Sequence, residues 1–410
     1  MLKKLVWKSV VSRKKTVLLT FLSLLVSISL LVSVEHLRSQ IKESFNRTIS
    51  GTDLIVGAPT GELNLLLYSV FRMGNPTNNI QYDSLLMLQK HRSVAWTIPL
   101  SLGDSHKGFR VLGTTNDYFD HFKYGNKQNI AFAKGNKFST LFDVVLGAEV
   151  AESLGYRLGD DIVVSHGIGN TSFHKHDHSP FHVTGILKPT GTPVDRTLHV
   201  SLQAIEAIHI APRALDGIIT SQNYSELEPT NITGVLVGLK SKLATFTLQR
   251  QVNQYKNDRL MAVLPGVALN QLWQLMASME KLLQFISALV LLASLFGLTT
   301  MLLASMNERS VEIAVMRILG ASPRFVLLLI LSEAVFIVLL ASVSAFVLVS
   351  GALVGLSDWL SQTYGLFLST NLMSQEQLIL LLLVLLSAIF SAVFPAIEAY
   401  RKALHSQLSS

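Results

Sequence analysis

Long apolar runs set the plan of this chain. Residues 16–34, 282–306, 325–356 and 377–397 are apolar over stretches that, at about 1.5 Å per residue in a helix, cross the roughly 30 Å hydrocarbon core of a bilayer. Three of these runs carry no charged side chain, and 325–356 carries only Glu333. They predict four transmembrane α-helices. Ahead of the first, residues 1–15 hold Lys3, Lys4, Lys8, Arg13, Lys14 and Lys15 with no acid, set against Leu2, Leu5, Val6, Trp7 and Val10, the pattern of a helix lying in the interface. A cleaved signal peptide is the alternative for 16–34, but its apolar core is usually about 7–15 residues long and ends at a small-residue site; neither feature is found.

The basic residues orient these helices. By alternation, residues 1–15, the 307–324 connection with Arg309, Arg317 and Arg324, and the 398–410 tail with Arg401 and Lys402 share one side. The other short connection, 357–376, has Asp358 and Glu376 and no Lys or Arg. Positive residues mark the cytoplasmic side, so both termini are expected there, with one large extracytoplasmic domain, 35–281, inserted between the first and second spans.

That domain alternates strand-like and helical stretches punctuated by glycine, as α+β folds do. Strands are expected at 54–56, 94–100, 109–113, 144–146, 162–165, 181–187, 198–201 and 235–239, and helices at 81–91, 148–154, 202–209, 241–256 and from 270 onward. The last has Leu272, Leu275, Met276, Met279 and Leu283 at helical spacing with no Gly or Pro between 267 and 294, so it is expected to run unbroken into the second span. Residues 63–73 lack strand alternation; as a helix they put Leu63, Leu66, Leu67, Val70 and Phe71 on one side, suited to the domain core or to an apolar partner. No internal repeat or low-complexity tract is evident.

Composition agrees with a membrane protein: 49% apolar and 15% charged residues argue against a wholly soluble chain. The net charge of +7 does not indicate nucleic acid, because the clustered basic residues flank apolar runs instead of alternating with aromatics on a polar face. With no cysteine, disulfides, Cys-ligated zinc and a thiol nucleophile are excluded.

Residues 307–333 are the most informative stretch. Val311, Ala314, Val315, Ile318 and Leu319 recur along one helix face, Glu308, Arg309, Glu312 and Arg317 fill the remainder, Gly320 ends the helix and Pro323 prevents immediate resumption. This stretch resembles the FtsX-like permease family of ABC transporters, the MacB-type mechanotransmission class, whose second and third spans are joined by an E-R-x-x-E-I-x-x-x-R-x-L-G-A-S element. Glu308, Arg309, Glu312, Ile313, Arg317, Leu319, Gly320, Ala321 and Ser322 match it. Residues 144–200, with V-L-G, L-G-x-x-x-G-D, F-x-V-x-G-I and D-x-x-x-x-V pieces, resemble the outside domain of the same permeases, and the tail FPAIEAYRKALHSQL is similar to their closing P-A-x-x-A-x-R element.

The resemblance implies a bacterial inner-membrane permease subunit, a homodimer working with two copies of an ABC ATPase that holds ATP and magnesium. It implies that the 308–321 helix docks on that ATPase, Glu308, Arg309, Glu312 and Arg317 making charge pairs and Val315, Leu319 and Ala321 filling a groove beside Gly320; a solvated cytoplasmic turn is the alternative. Action on a periplasmic or outer-leaflet substrate follows (lipid, lipoprotein, peptide, haem or metal-related cargo), with membrane lipid and a periplasmic adaptor or lipoprotein as further partners. The alternative function is a signalling scaffold that activates or senses a periplasmic partner without transport.

Catalytic motifs are missing. No G-x-x-x-x-G-K-[ST] is present to cradle phosphates, so the ATPase is expected in a separate chain, and neither H-E-x-x-H nor G-x-S-x-G occurs. No catalytic residue is assigned. Glu333 is costly inside a span and calls for a partner, either Arg324 or a basic residue near the start of the chain, unless it snorkels to the interface. His166, His174, His176, His178 and His182 are five of the twelve histidines, and with Asp177 they form a candidate zinc site. Geometry limits it: along a regular strand, residues four apart lie about 13 Å apart, so His174, His176 and His178 share one ion only if the chain bends. A polar hairpin tip that binds metal weakly is the alternative.

Overall fold

The computed structural model describes residues 13–166, 180–221, 224–308, 315–316, 318–364, 372 and 374–405. The chain divides into two compact units, one drawn from Met1–Ile41, Ala277–Asp358 and Leu368–Ser410, the other from Lys42–Met276 and Trp359–Phe367.

The first unit is built of long helices: Lys14–Thr48, Pro265–Glu308, Pro323–Tyr364 and Gln375–His405. Among the described residues these four are long and apolar enough to cross a membrane, over Lys14–Glu43, Pro265–Met306, Pro323–Leu356 and Gln375–Arg401. The third continues past its apolar run to Tyr364. In lipid, packing rests on close approach, and small residues face inward: Ala334, Ala341 and Ala345 on the third helix, and Ala388, Ala392, Ala396 and Ala399 on the fourth, are buried with Leu298, Ile330 and Ile337. Phe285, Phe390 and Phe394 point outward. Hydroxyls tie the helices together, with Ser23 and Ser27 meeting Ser294.

Pro395 lies inside the fourth helix, where it cannot donate to the carbonyl of Ser391. The Thr299 hydroxyl of the second helix lies 3.3 Å from that carbonyl and 3.0 Å from the carbonyl of Leu295, so the acceptor freed by the proline shares that hydroxyl's one proton.

The second unit centres on a mixed sheet of eleven strands among the described residues. Nine of them run in the order Met261–Val263, Leu54–Gly57, Gly234–Leu239, Val94–His106, Phe109–Thr114, Thr197–Ser201, Asp143–Leu146, Phe181–Leu187 and Phe132–Gly135, and the other two, Asp161–Ile162 and Ser165–His166, pair off this path. Two neighbouring pairs are parallel, Phe181–Leu187 with Asp143–Leu146, and Thr197–Ser201 with Phe109–Thr114. Helix Ala148–Leu154 lies within the crossover of the first pair. Both faces are covered, and the period of two divides the strand residues between them: Ile55, Leu236 and Val145 enter one core, Leu54, Val56, Val235 and Val237 a second, and Val144 and Leu146 a third.

Three elements differ from expectation. The strand from Val94 extends to His106, beyond residue 100, because Asp104 and Ser105 are buried despite being polar. Residues 162–165 are not one strand: Asp161–Ile162 pairs with Phe181–Leu187 and Ser165–His166 with Val94–His106. The corner between them is held by His106, whose Nδ1–H donates to the carbonyl of Val163 at 2.6 Å. The 241–256 helix opens as a 3-10 turn, Lys242–Ala244, and becomes α-helical over Thr245–Asn253. Residues 63–73 supply helix Glu62–Ser69, and Leu66, Val70 and Phe71 are buried in the domain core together with Leu65 and Tyr68.

Candidate functional site

The connection between the second and third long helices is the candidate site. Glu308 is the last residue of its helix, while Arg309, Glu312 and Arg317 lie outside the described residues. Val315, Met316 and Ile318 are helical, and their helix closes on Gly320 with φ of 95°. The amide of Ala321 donates to the carbonyl of Met316 at 2.9 Å, the six-to-one bond of a Schellman motif, which needs a left-handed residue at the position Gly320 fills. Ser322 then caps the next helix, its hydroxyl and carbonyl accepting from the amide of Phe325 at 3.3 and 2.9 Å, with Pro323 in the first helical position. The G-A-S-P sequence is thus a stop and a start in four residues. Before it stand apolar side chains that are largely exposed: Val315, Ile318 and Leu319 are 49%, 85% and 82% exposed.

Nearly three turns further along the third helix, at about 3.6 residues per turn, lies an ion pair. Glu333 on the third helix is 1% exposed and accepts from the Arg13 guanidinium at 3.0 Å; the Arg13 side chain is 11% exposed. A basic residue near the start of the chain, not Arg324, is therefore its partner. At the other end of the helices Gln377, also buried, donates its amide to His36 Nδ1 at 3.1 Å.

Two known families match this chain. A family model described as FtsX-like permease C-terminal matches residues 284–404, and one described as MacB-like periplasmic core domain matches residues 16–255, more than half of the 410-residue chain. The chain belongs to the MacB/FtsX-like family of ABC transporter permeases. Similar solved structures include the periplasmic region of MacB from Actinobacillus actinomycetemcomitans, at 12% identity over 55% of this chain and 94% of that one with a TM-score of 0.35. The extracellular domain of the noncanonic ABC-type transporter YknZ from Gram-positive bacteria is similar at 15% identity over 52% of this chain and 99% of that one, with a TM-score of 0.30. No curated protein sequence matches. The permease is a multi-pass membrane protein with a periplasmic domain, and permeases of its family are in general non-catalytic partners of ABC ATPases.

In the permease's sheet unit, the motif residues build the scaffold. A side chain at Gly147 would meet the carbonyl oxygens of Asp195 and Val194 at 2.3 and 2.4 Å, and one at Gly185 would meet that of Asn136 at 2.4 Å. Buried Asp195 accepts from the amides of Thr190 and Gly191 at 2.9 and 2.8 Å and from the Thr190 hydroxyl at 2.8 Å. Burial pushes its carboxyl above the usual range against the pull of those bonds. Glu149 is likewise raised by burial, opposed by Arg196 at 3.6 Å. His199, which sequence reasoning passed over, is fully buried, with Nδ1–H on the Val145 carbonyl at 3.3 Å and Tyr118 and Phe119 rings at 5.0 and 5.8 Å. These groups are tied to the fold.

The candidate metal ligands are only partly in view. His174, His176, Asp177 and His178 lie outside the described residues, and His166 ends the strand Ser165–His166. His182 is exposed and its Nδ1 contacts the Asp161 carboxylate. Among the described residues, no group of three or more His, Cys, Asp or Glu could hold a metal ion.

Proposed function

We propose that this chain is the permease subunit through which ATP hydrolysis in a separate subunit moves a periplasmic domain acting on a periplasmic or outer-leaflet substrate. The exposed face of Val315, Ile318 and Leu319 carries this reading. Three exposed apolar side chains just before a capped turn between two apolar helices form a surface that water disfavours, and an ATPase groove is the occupant that the family supplies. Glu308, Arg309, Glu312 and Arg317 surround that face in sequence and set the register of docking through charge pairs.

In this reading both termini are cytoplasmic, two permease copies pair with two ATPase copies, and the sheet domain is inserted between the first and second spans. Chain order supports the insertion: among the described residues every strand lies between the helix ending at Thr48 and the one beginning at Pro265. Closure of the ATPases pushes on the 308–321 segment, and the helix Pro265–Glu308, unbroken over 44 residues, carries the displacement along its axis. A helix of that length is a stiffer element than any loop of the same span.

Glu312→Lys and Arg317→Glu are the decisive variants. Each is expected to leave the protein folded in the membrane while ATP hydrolysis by the reconstituted complex no longer responds to the permease. ATPase stimulation equal to the unaltered protein in both variants would refute docking through this segment.

A further inference from the structure

The first and third long helices leave an apolar groove open between them. Val17, Leu18 and Phe21 line it from Lys14–Thr48, and Phe336, Ile337 and Leu340 from Pro323–Tyr364. Val17 and Ile337 are buried and form its floor, whereas Leu18 and Leu340 are about half exposed at 54% and 47% and form its lips. From Lys14 to Phe21 the groove runs about 10 Å at the helical rise.

One end of this groove differs in chemistry from the rest. Lys14 lines it there, and its side chain is exposed. Arg13, the preceding residue, is committed to Glu333, one turn before Phe336 and Ile337. That ion pair pins the two helices together at the Lys14 end and cancels the charge of Arg13. The Lys14 ammonium therefore faces the mouth of an otherwise apolar slot, with exposed Lys15 beside it.

We propose that this groove is a binding site for an anionic phospholipid, one acyl chain lying on Val17 and Ile337 and the headgroup phosphate on Lys14. Charge complementarity selects the occupant. An apolar slot accepts any acyl chain, but a cation at its mouth near the end of the apolar run favours a headgroup of net negative charge by about 1 kcal/mol per basic residue. A bound chain would fill the open seam between the first and third helices, adding contact where the alanine-lined interior does not reach.

Native mass spectrometry of the intact permease in detergent, with phosphatidylglycerol or phosphatidylcholine of identical acyl chains, tests this. Phosphatidylglycerol is expected to be retained more tightly. Lys14→Gln should weaken that retention roughly fivefold, the equivalent of one basic contact. Lys14→Arg should restore it, and Leu340→Trp, which fills the slot from its exposed lip, should abolish it with helix content unchanged. Equal retention of the two lipids, or a Lys14→Gln variant that binds as the unaltered protein does, would overturn the proposal. So would crosslinking of Leu340→Cys to its counterpart in a second copy, which is readable because the chain has no other cysteine and would make the groove a seam between protomers.

Discussion

His199 illustrates how much a single residue's role depends on what covers it. It sits between Leu198 and Val200, so alternation along the strand reads it as a polar residue on an outer face. In the fold that face is covered too, by Tyr118 and Phe119, and nothing in the sequence of one strand announces a second layer over it. Burial, with the charge of Arg72 second, lowers its pKa to about 3. The unfolded chain takes up this proton near 6.5, so between those values the unfolded state binds more protons and folding stability falls as pH falls. The contribution is at most about 1.4 kcal/mol per pH unit. Hydrogen exchange of the Thr197–Ser201 amides in the intact protein at pH 6.5, 5.5 and 4.5 should show this loss, and His199→Asn, which cannot titrate, should show a shallower one. The same slope in both would mean that His199 is not what titrates. Glu333 was more legible, since a carboxylate inside an apolar run demands a cation. Which cation was not legible, because Arg13 and Glu333 meet only through helix packing.

At the scale of elements, glycines and the turn were readable and the irregular strands were not. The V-L-G piece reads as a strand ending before a helix, and the structure adds the reason for its glycine: the backbone at Val194 and Asp195 passes too close to admit a Cβ. Gly147→Ala should therefore cost about 3 kcal/mol or more, because backbone rather than a flexible side chain must move. A thermal melt of the purified protein indistinguishable from the unaltered one would show that the backbone gives way easily. The G-A-S-P turn was legible for the same kind of reason, each residue having a conformational duty independent of distant contacts. By contrast, Asp161–His166 changes partner strands part-way, and Phe132–Gly135 lies at the sheet edge with mostly exposed residues, so neither carries a period that sequence can reveal.

The whole molecule was legible in outline because lipid imposes so few solutions: four apolar helices and a large domain of strands and helices follow from run length alone. The proposed orientation adds a direct test. Because the chain has no cysteine, single replacements at exposed Lys188 in the sheet unit and exposed Arg324 after the turn report sidedness cleanly. A membrane-impermeant maleimide is expected to label Lys188→Cys in spheroplasts and Arg324→Cys only after permeabilisation; the reverse pattern would invert the topology. The Arg13–Glu333 pair has one more consequence, for biogenesis. Its partners are 320 residues apart in sequence. A ribosome adding about 5–20 residues per second needs roughly 15–60 s to make that stretch, and throughout it the Glu333 carboxylate that meets Arg13 is not yet synthesised. This contact between the first and third helices therefore forms only after the third has been made, by which time all the residues between them have been translated. The ion pair is in this sense a late seal, closed only once every element between its two partners exists.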